Sequence, residues 1–151
     1  MNIQDDEKYG AMTGAEVVAF LSRTRVPMRL AIETSKGPLV VPLWFHFAAD
    51  QLWACSMAQS LVIKSLQQRP TVAFDISTND PPYKGVRGRG TARCVAADGP
   101  HALDKVLAKY VKDDQHSLAV WLRSRADEEV AIAITPTWLN SWDFSERMRG
   151  L

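Results

Sequence analysis

The chain has 151 residues, of which 46% are hydrophobic and 23% charged, a composition that excludes a fibrous or disordered chain and predicts a single globular domain over residues 1–151. Its 18 basic and 17 acidic side chains leave a net charge of +1, which excludes a strong global attraction to nucleic acid or anionic lipid. The only cysteines, Cys55 and Cys94, are far apart and predict reduced core thiols. We expect a soluble, cytoplasmic protein without a signal peptide in Met1–Lys8 or a membrane-spanning run.

The first third of the chain predicts a helix followed by a β-hairpin. Thr13 and Glu16 have the spacing of a capping box, and the apolar stripe that follows indicates a short helix ending near Arg23. Met28–Glu33 has the alternation of a strand, and the turn at 35–38 leads into a second, longer strand, Leu39–Phe47.

The longer strand, Leu39–Phe47, is apolar on both faces, so each face needs a cover. Pro42 cannot donate a ladder hydrogen bond, and we therefore expect the strand to be bulged or partly unpaired in its middle. An unpaired stretch of this kind offers backbone groups to a planar ligand.

The remaining two thirds predict five strands and three helices. The strands are Gln51–Ser56, Thr71–Ser77, Val86–Val95, Glu129–Thr135 and Trp138–Phe144. The helices begin near Ser60 and Gly99, and a third carries Trp121. Because hairpins come early and no regular βαβ alternation follows, the fold class is mainly β (α+β): an antiparallel split β-barrel of about six or seven strands with peripheral helices.

The stretch Ser56–Lys64 has the make-up of a phosphate site. A strand ends in small and polar residues, a helix begins near Ser60, and a lysine lies on its first turns. An ordinary capped helix with an exposed lysine has the same pattern, so both interpretations stay open.

Two other features favour different ligands less strongly. His46, His101 and His116 lack metal-ligand spacing, although His46 on its apolar strand is a candidate haem ligand. A basic row, formed by Lys84, Arg87, Arg89 and Arg93, suggests nucleic-acid binding. The row lacks the interleaved aromatic residues of a base-stacking surface, so we expect no nucleic-acid partner.

Three segments, with the order of elements between them, carry a resemblance to a known family: Gly-Pro-Leu-Val-Val-Pro-Leu-Trp-Phe at 37–45, Pro-Pro-Tyr-Lys-Gly-Val-Arg-Gly-Arg-Gly at 81–90, and Ser-Trp-Asp-Phe at 141–144. From about Thr13 to Arg147 the chain resembles the pyridoxamine 5'-phosphate oxidase-like family of FMN-binding split β-barrels, with its flavin and deazaflavin oxidoreductase branches.

This resemblance implies an FMN-dependent oxidoreductase of unknown substrate, acting as a homodimer with cofactor sites at the subunit interface. The implied cofactor-binding residues are Pro42, Leu43 and Trp44 along the flavin ring, Ser56, Gln59, Ser60 and Lys64 at the phosphate, and Tyr83, Lys84 and Trp142 at the far side of the cleft, from either subunit. No residue stands out as a catalytic acid or base, as expected where the flavin carries the chemistry.

One position departs from the family pattern. Many relatives have a lysine eight residues before the proline that corresponds to Pro70; here that position is Val62, and Lys64 lies two residues later. The phosphate anchor has either moved to Lys64 or been lost. If it has been lost, the alternatives are a deazaflavin-dependent reductase, or a non-catalytic flavin- or tetrapyrrole-binding protein on the same fold.

Overall fold

A computed structural model describes residues 1–151 and contains nine strands and four α-helices. The strands are β1 (Lys8–Tyr9), β2 (Met12–Thr13), β3 (Met28–Thr34), β4 (Gly37–Leu43), β5 (His46–Ala48), β6 (Gln51–Met57), β7 (Thr71–Ser77), β8 (Lys84–Val95) and β9 (Glu129–Asp143). The helices are α1 (Gly14–Arg23), α2 (Leu61–Gln68), α3 (Gly99–Tyr110) and α4 (Ser117–Ser124), with short 3₁₀ turns at Ala96–Asp98 and Ala126–Glu128. No helix is long and apolar enough to cross a membrane.

Two of the predicted helix starts are confirmed by their caps. The Thr13 hydroxyl accepts a hydrogen bond from the Glu16 N–H at 3.3 Å, and the Glu16 carboxylate accepts one from the Thr13 N–H at 2.7 Å. Ser60 begins α2 in the same way, since its hydroxyl accepts from the Ile63 N–H at 3.2 Å. These bonds satisfy amide groups that have no partner within the helix.

Seven strands form one antiparallel sheet in the order β4-β3-β7-β8-β9-β6-β5. Its two edge strands, β4 and β5, are consecutive in the chain and are separated only by Trp44 and Phe45. Because two residues span only a few ångströms, the edges of the sheet must approach each other there. The sheet therefore curls into a barrel that stays open along one side, which confirms the predicted split barrel.

The barrel interior is the main core. Leu30, Phe45, Leu52, Ile76 and Ile132 are fully buried in it. The buried face of α2 joins this core through Val62, Ile63 and Leu66. Burial of apolar surface on this scale is the main contribution that opposes the entropy of the unfolded chain.

A second, smaller apolar cluster lies outside the barrel, where α3 and α4 pack on β6 and β9. It contains Leu103, Val106, Leu107 and Ala119. The start of α3 approaches β9 so closely that a Cβ added to Gly99 would lie 1.8 Å from the backbone oxygen of Glu129. Glycine is therefore required at this contact, and it fixes α3 against the beginning of β9.

The predicted strand Leu39–Phe47 is wrong as a single element. It ends at Leu43, and the chain crosses to the other edge of the sheet before β5 begins at His46. The expected bulge is also absent, because Pro42 pairs with Arg29 in an unbroken register. An edge strand has no partner on one side, so it tolerates the missing proline donor.

The two strands predicted at the C-terminal end are one. β9 runs unbroken through Pro136, and the irregularity falls on its neighbour, where the register of β8 shifts between Arg89 and Gly90. The β1–β2 hairpin was not predicted from the sequence, because its strands are only two residues long.

Candidate functional site

The opening of the barrel lies between β4 and β6. β4 pairs only with β3, and β6 pairs with β5 only as far as Trp53. Residues 55–57 are therefore paired on one side alone, with β9. Both strands have backbone N–H and C=O groups without a strand partner, which are the groups that a bound segment or ligand uses at a sheet edge.

A cavity of about 310 Å³ occupies this opening, and we call it the split cavity. Its walls are formed by Pro42 and Leu43 at the end of β4, Trp44 of the crossover, Cys55–Met57 of β6, the side chain of Glu129, and three apolar side chains of α3 and α4, Leu103, Val106 and Leu122. Neighbouring residues of a strand point to opposite faces, yet consecutive residues of both strands line the cavity. The cavity therefore lies at the strand edges.

The aromatic wall of the split cavity is held in place from behind. The ring of Trp44 stacks on Tyr110 of α3, with centroids 5.1 Å apart and planes 6° from parallel. The Tyr110 hydroxyl donates to the Val26 carbonyl at 3.0 Å, and burial raises the pKa of this phenol to about 12. Trp44 thus has little freedom to rotate away from the cavity.

Glu129 contributes the only carboxyl group in the wall of the split cavity, and only 7% of the residue is exposed. The pKa of this carboxyl is raised above its ordinary value, mainly by burial and also by the charge of Glu128. The Cys55 thiol and the charge of Arg125 act in the opposite direction. The Oε2 of Glu129 is shielded from solvent and has no hydrogen-bond partner. Sequence reasoning missed this residue, whose only signal is a glutamate at the start of an otherwise apolar strand.

Cys55 also lines the split cavity, and burial, followed by the Glu129 carboxyl, raises the pKa of its thiol to about 12. It therefore remains a protonated thiol near neutral pH and is a poor nucleophile. Its position in the wall agrees with the predicted reduced cysteine and gives no sign of thiolate chemistry.

The predicted phosphate residues are only partly brought together. Ser56 lines the cavity, and its hydroxyl donates to the Ser60 hydroxyl at 3.0 Å, which connects the cavity to the start of α2. Gln59 and Lys64 are exposed and are not part of the cavity wall. The Lys64 side chain makes no ion pair or hydrogen bond within the chain, whereas Val62 packs into the barrel core. The position occupied by lysine in many relatives is thus a core position here.

A basic side chain that was not predicted touches the cavity wall. Arg125 donates from Nη2 to the Met57 sulfur at 3.2 Å and from Nε to Glu128 at 3.3 Å. Its guanidinium also lies 4.7 Å from the ring centroid of Trp121. Arg125 directly follows α4, and the packing of α4 on α3, which in turn packs on β6, brings it to the site.

The three residues expected at the far side of the cleft lie elsewhere in the chain. Lys84 lines a separate cleft beside α1, Tyr83 is exposed, and the Trp142 ring lies 5.5 Å from the Arg87 guanidinium on the outer face of the sheet. None of them lines the split cavity of the same chain. Their expected contribution from a second subunit stays a prediction.

The outer sheet face carries an open groove of about 570 Å³, which we call the outer groove. Arg29, Val40, Arg87, Arg89 and Trp138 are among its lining residues. Val40 is 62% and Trp138 43% exposed. The expectation that the basic row lacks aromatic neighbours is wrong, because β9 places Trp138 5.2 Å from the Arg89 guanidinium and Trp142 beside Arg87.

Comparison with known proteins establishes the fold. No protein-family model and no curated protein matches the chain. A conserved hypothetical protein from Mycobacterium tuberculosis matches with a TM-score of 0.79, 19% identity, and coverage of 98% of this chain and 96% of that one. An F420 reductase matches with a TM-score of 0.67 and 20% identity, over 80% of this chain and 93% of that one. An FAD-binding protein from Mesorhizobium loti matches with a TM-score of 0.65 and 21% identity, over 86% of this chain and 94% of that one. The chain has the split β-barrel fold of the pyridoxamine 5'-phosphate oxidase-like proteins, as the resemblance implied.

His46, the candidate haem ligand, lies on β5 and is not part of the split cavity wall. Its ring stacks on Trp53, with centroids 6.2 Å apart, and its Nε2 is shielded from solvent without a partner. Burial lowers the pKa of His46 to about 4, and the charges of His101, Lys105 and Lys109 on α3 act in the same direction.

We therefore predict a pH-dependent loss of stability that is specific to His46. Between pH 6.5 and about 4 the unfolded chain binds a proton at this histidine and the folded chain does not, so the free energy of unfolding falls as the pH falls. Chemical denaturation of the wild type and of His46→Gln over this range should give profiles that diverge toward low pH and run parallel above about pH 7. Profiles that stay parallel down to pH 4 would contradict the prediction.

Proposed function

We propose that this protein is an FMN-dependent oxidoreductase that holds the flavin ring in the split cavity. The observation that carries the proposal is the pair of unpaired strand edges bordering a cavity with apolar and aromatic walls. A flavin ring has apolar faces and a polar edge of alternating carbonyl and N–H groups. Apolar walls with a few convergent backbone and side-chain polar groups are what such a ligand needs.

The residues of the cavity fit this cofactor. Pro42, Leu43 and Trp44 would line the ring, and the unpartnered Oε2 of Glu129 is a polar atom that a ligand can satisfy. A volume of about 310 Å³ is at the low end for ligand sites. The ribityl phosphate would therefore extend out of the cavity along Ser56 and Ser60.

The phosphate would be held at the start of α2. Its first amide groups and the hydroxyls of Ser56 and Ser60 are donors, and the positive end of a helix dipole favours an anion. Lys64 on the second turn is a lysine without an acidic partner in the chain. Gln59, exposed just before the cap, would complete the set.

Bound FMN would supply hydride or electron transfer, and the chain's own residues would set the conditions for it. Leu103, Val106 and Leu122 exclude water from one side of the cavity. Trp44, held by Tyr110, keeps the wall rigid, so that little reorganisation is needed when a ligand enters. Cys55 stays protonated and does not compete as a nucleophile.

A deazaflavin coenzyme is the second candidate, and one observation favours it. Val62 is packed into the core, so the phosphate region lacks the lysine that many relatives have there. A coenzyme held mainly through its ring would depend less on that cation. The likeness to an F420 reductase, at 20% identity, is in keeping with this alternative.

The cofactor prediction is tested with the purified protein. We expect a flavin absorption spectrum, and release of FMN on denaturation as identified by mass spectrometry. In titrations of FMN into the cofactor-free protein, Lys64→Ala should raise the dissociation constant more than tenfold, because it removes a charge-assisted contact of about 1.5–3 kcal/mol.

Lys36→Ala, which removes the same charge from the exposed turn between β3 and β4, is the control and should leave the affinity unchanged. Equal affinities for the wild type and Lys64→Ala would place Lys64 outside the phosphate site. A colourless protein that is stabilised by a deazaflavin coenzyme but not by FMN would replace the first candidate with the second.

We further propose that the protein is a homodimer in which the outer groove is covered by a second copy. Val40 and Trp138 expose apolar surface side by side with arginines, on a sheet face that no helix covers. Contiguous exposed apolar surface rimmed by polar groups is typical of an interaction site, and symmetric dimers are the commonest assembly.

The dimer prediction uses a substitution that the folded monomer tolerates. Val40→Glu adds a charge to a side chain that is already 62% exposed, so it should leave the fold intact but convert the dimer to a monomer in sedimentation velocity. Val120→Glu, on the exposed face of α4, should remain dimeric. A wild type that sediments as a monomer at all concentrations would refute the assembly.

A further inference from the structure

The buried carboxyl of Glu129 has incomplete hydrogen bonding. The residue is 7% exposed, its Oε2 is shielded from solvent, and no group of the chain hydrogen-bonds that atom. A buried polar atom left without a partner costs about 1–3 kcal/mol. Nothing within the chain offsets this cost, and the residue that carries it lies in the wall of the split cavity.

The surroundings of Glu129 offer little that would meet this need. The Cys55 thiol lies in the same wall but is a weak donor. Arg125, the nearby cation, donates instead to Glu128 and to the Met57 sulfur. Leu103, Val106 and Leu122 are apolar. Glu129 lines the split cavity, so a turn of its side chain toward a bound ligand would give the shielded oxygen the partner that it lacks.

From this geometry we propose that Glu129 binds the ligand directly, through hydrogen bonds to the pyrimidine edge of a flavin. On that edge an N–H group lies beside a carbonyl. The inference rests on the proposed function, because it takes a flavin as the ligand. In either protonation state the carboxyl accepts a hydrogen bond from the ring N3–H. In its neutral form it also donates to the neighbouring carbonyl, which gives two parallel bonds and buries no net charge.

The location of Glu129 gives this pairing its specificity. Glu129 is the first residue of β9 and pairs with Met57 at the end of β6. The close contact between its backbone and Gly99 of α3 fixes its position. A ligand lacking the N–H would leave the same oxygen buried and unpaired. Sites built to hydrogen-bond a ligand group discriminate against analogues that lack it for this reason.

The test compares FMN with N3-methyl-FMN, in which a methyl group replaces the N3 proton, in fluorescence titrations of the full chain. We expect methylation to weaken binding to the wild type about tenfold or more. Glu129→Met, which fills a similar volume without polar oxygen, should bind the two flavins with similar affinity. Glu129→Gln keeps an acceptor and a donor, and should keep the preference.

Glu128→Gln is the matched control, because Glu128 is the exposed neighbour that pairs with Arg125. It should retain the full preference for FMN over N3-methyl-FMN. Should Glu129→Met fail to fold, Glu129→Leu takes its place in the same comparison, because leucine also removes both polar oxygens, and it too should bind the two flavins with similar affinity.

The possible failures are distinguishable. Equal binding of both flavins to the wild type overturns the role of Glu129 and leaves flavin binding standing. A preference that persists unchanged in Glu129→Met also overturns it, because another group must then contact N3–H. If neither flavin binds the wild type, the proposed function fails and this inference falls with it.

Discussion

The two-residue crossover at Trp44 and Phe45 is the constraint on which the rest of the structure depends. It brings the two edges of a seven-stranded sheet together at one point and leaves them apart beyond it. Phe45 is fully buried, so the crossover is anchored in the barrel core. The unpaired edges of β4 and β6 are the direct consequence, since β5 is too short to pair with β6 past Trp53.

The opening is only partly closed by the helices. α3 and α4 pack outside β6 and β9, where Trp44 stacks on Tyr110 and Gly99 touches the start of β9. This packing converts an open slot into a mostly apolar cavity with one carboxyl, that of Glu129, in its wall. The stability of the fold and the chemistry of the candidate site therefore depend on the same contacts.

Much of the fold follows from local sequence patterns. The capping box at Thr13 and the strands over Thr71–Ser77 and Val86–Val95 were predicted correctly, because each depends on neighbours within a few residues. The break after Leu43 was not predicted. Apolar alternation continues through Phe45 because the crossover is itself buried, so the pattern does not reveal that the strand has changed edges.

The site was only partly predictable for the same reason. Pro42–Trp44 and Ser56 line one cavity, and each lies near the end of a recognisable strand, so the sequence could suggest them together. Glu129 and Arg125 were missed, since their importance comes from packing between elements far apart in the sequence. The aromatic partners of Arg87 and Arg89 come from β9, and pairing between strands is not visible in the spacing of either strand alone.

The most direct test of the account is a nuclear magnetic resonance titration of the isotope-labelled protein with FMN. The account predicts that the backbone amides of Leu43, Trp44 and Ser56 shift most strongly, because they border the split cavity. Saturable shifts at these amides would establish the opening between β4 and β6 as the flavin site. Shifts at Arg87 and Arg89 that leave these three amides unmoved, or no shifts at all, would contradict it.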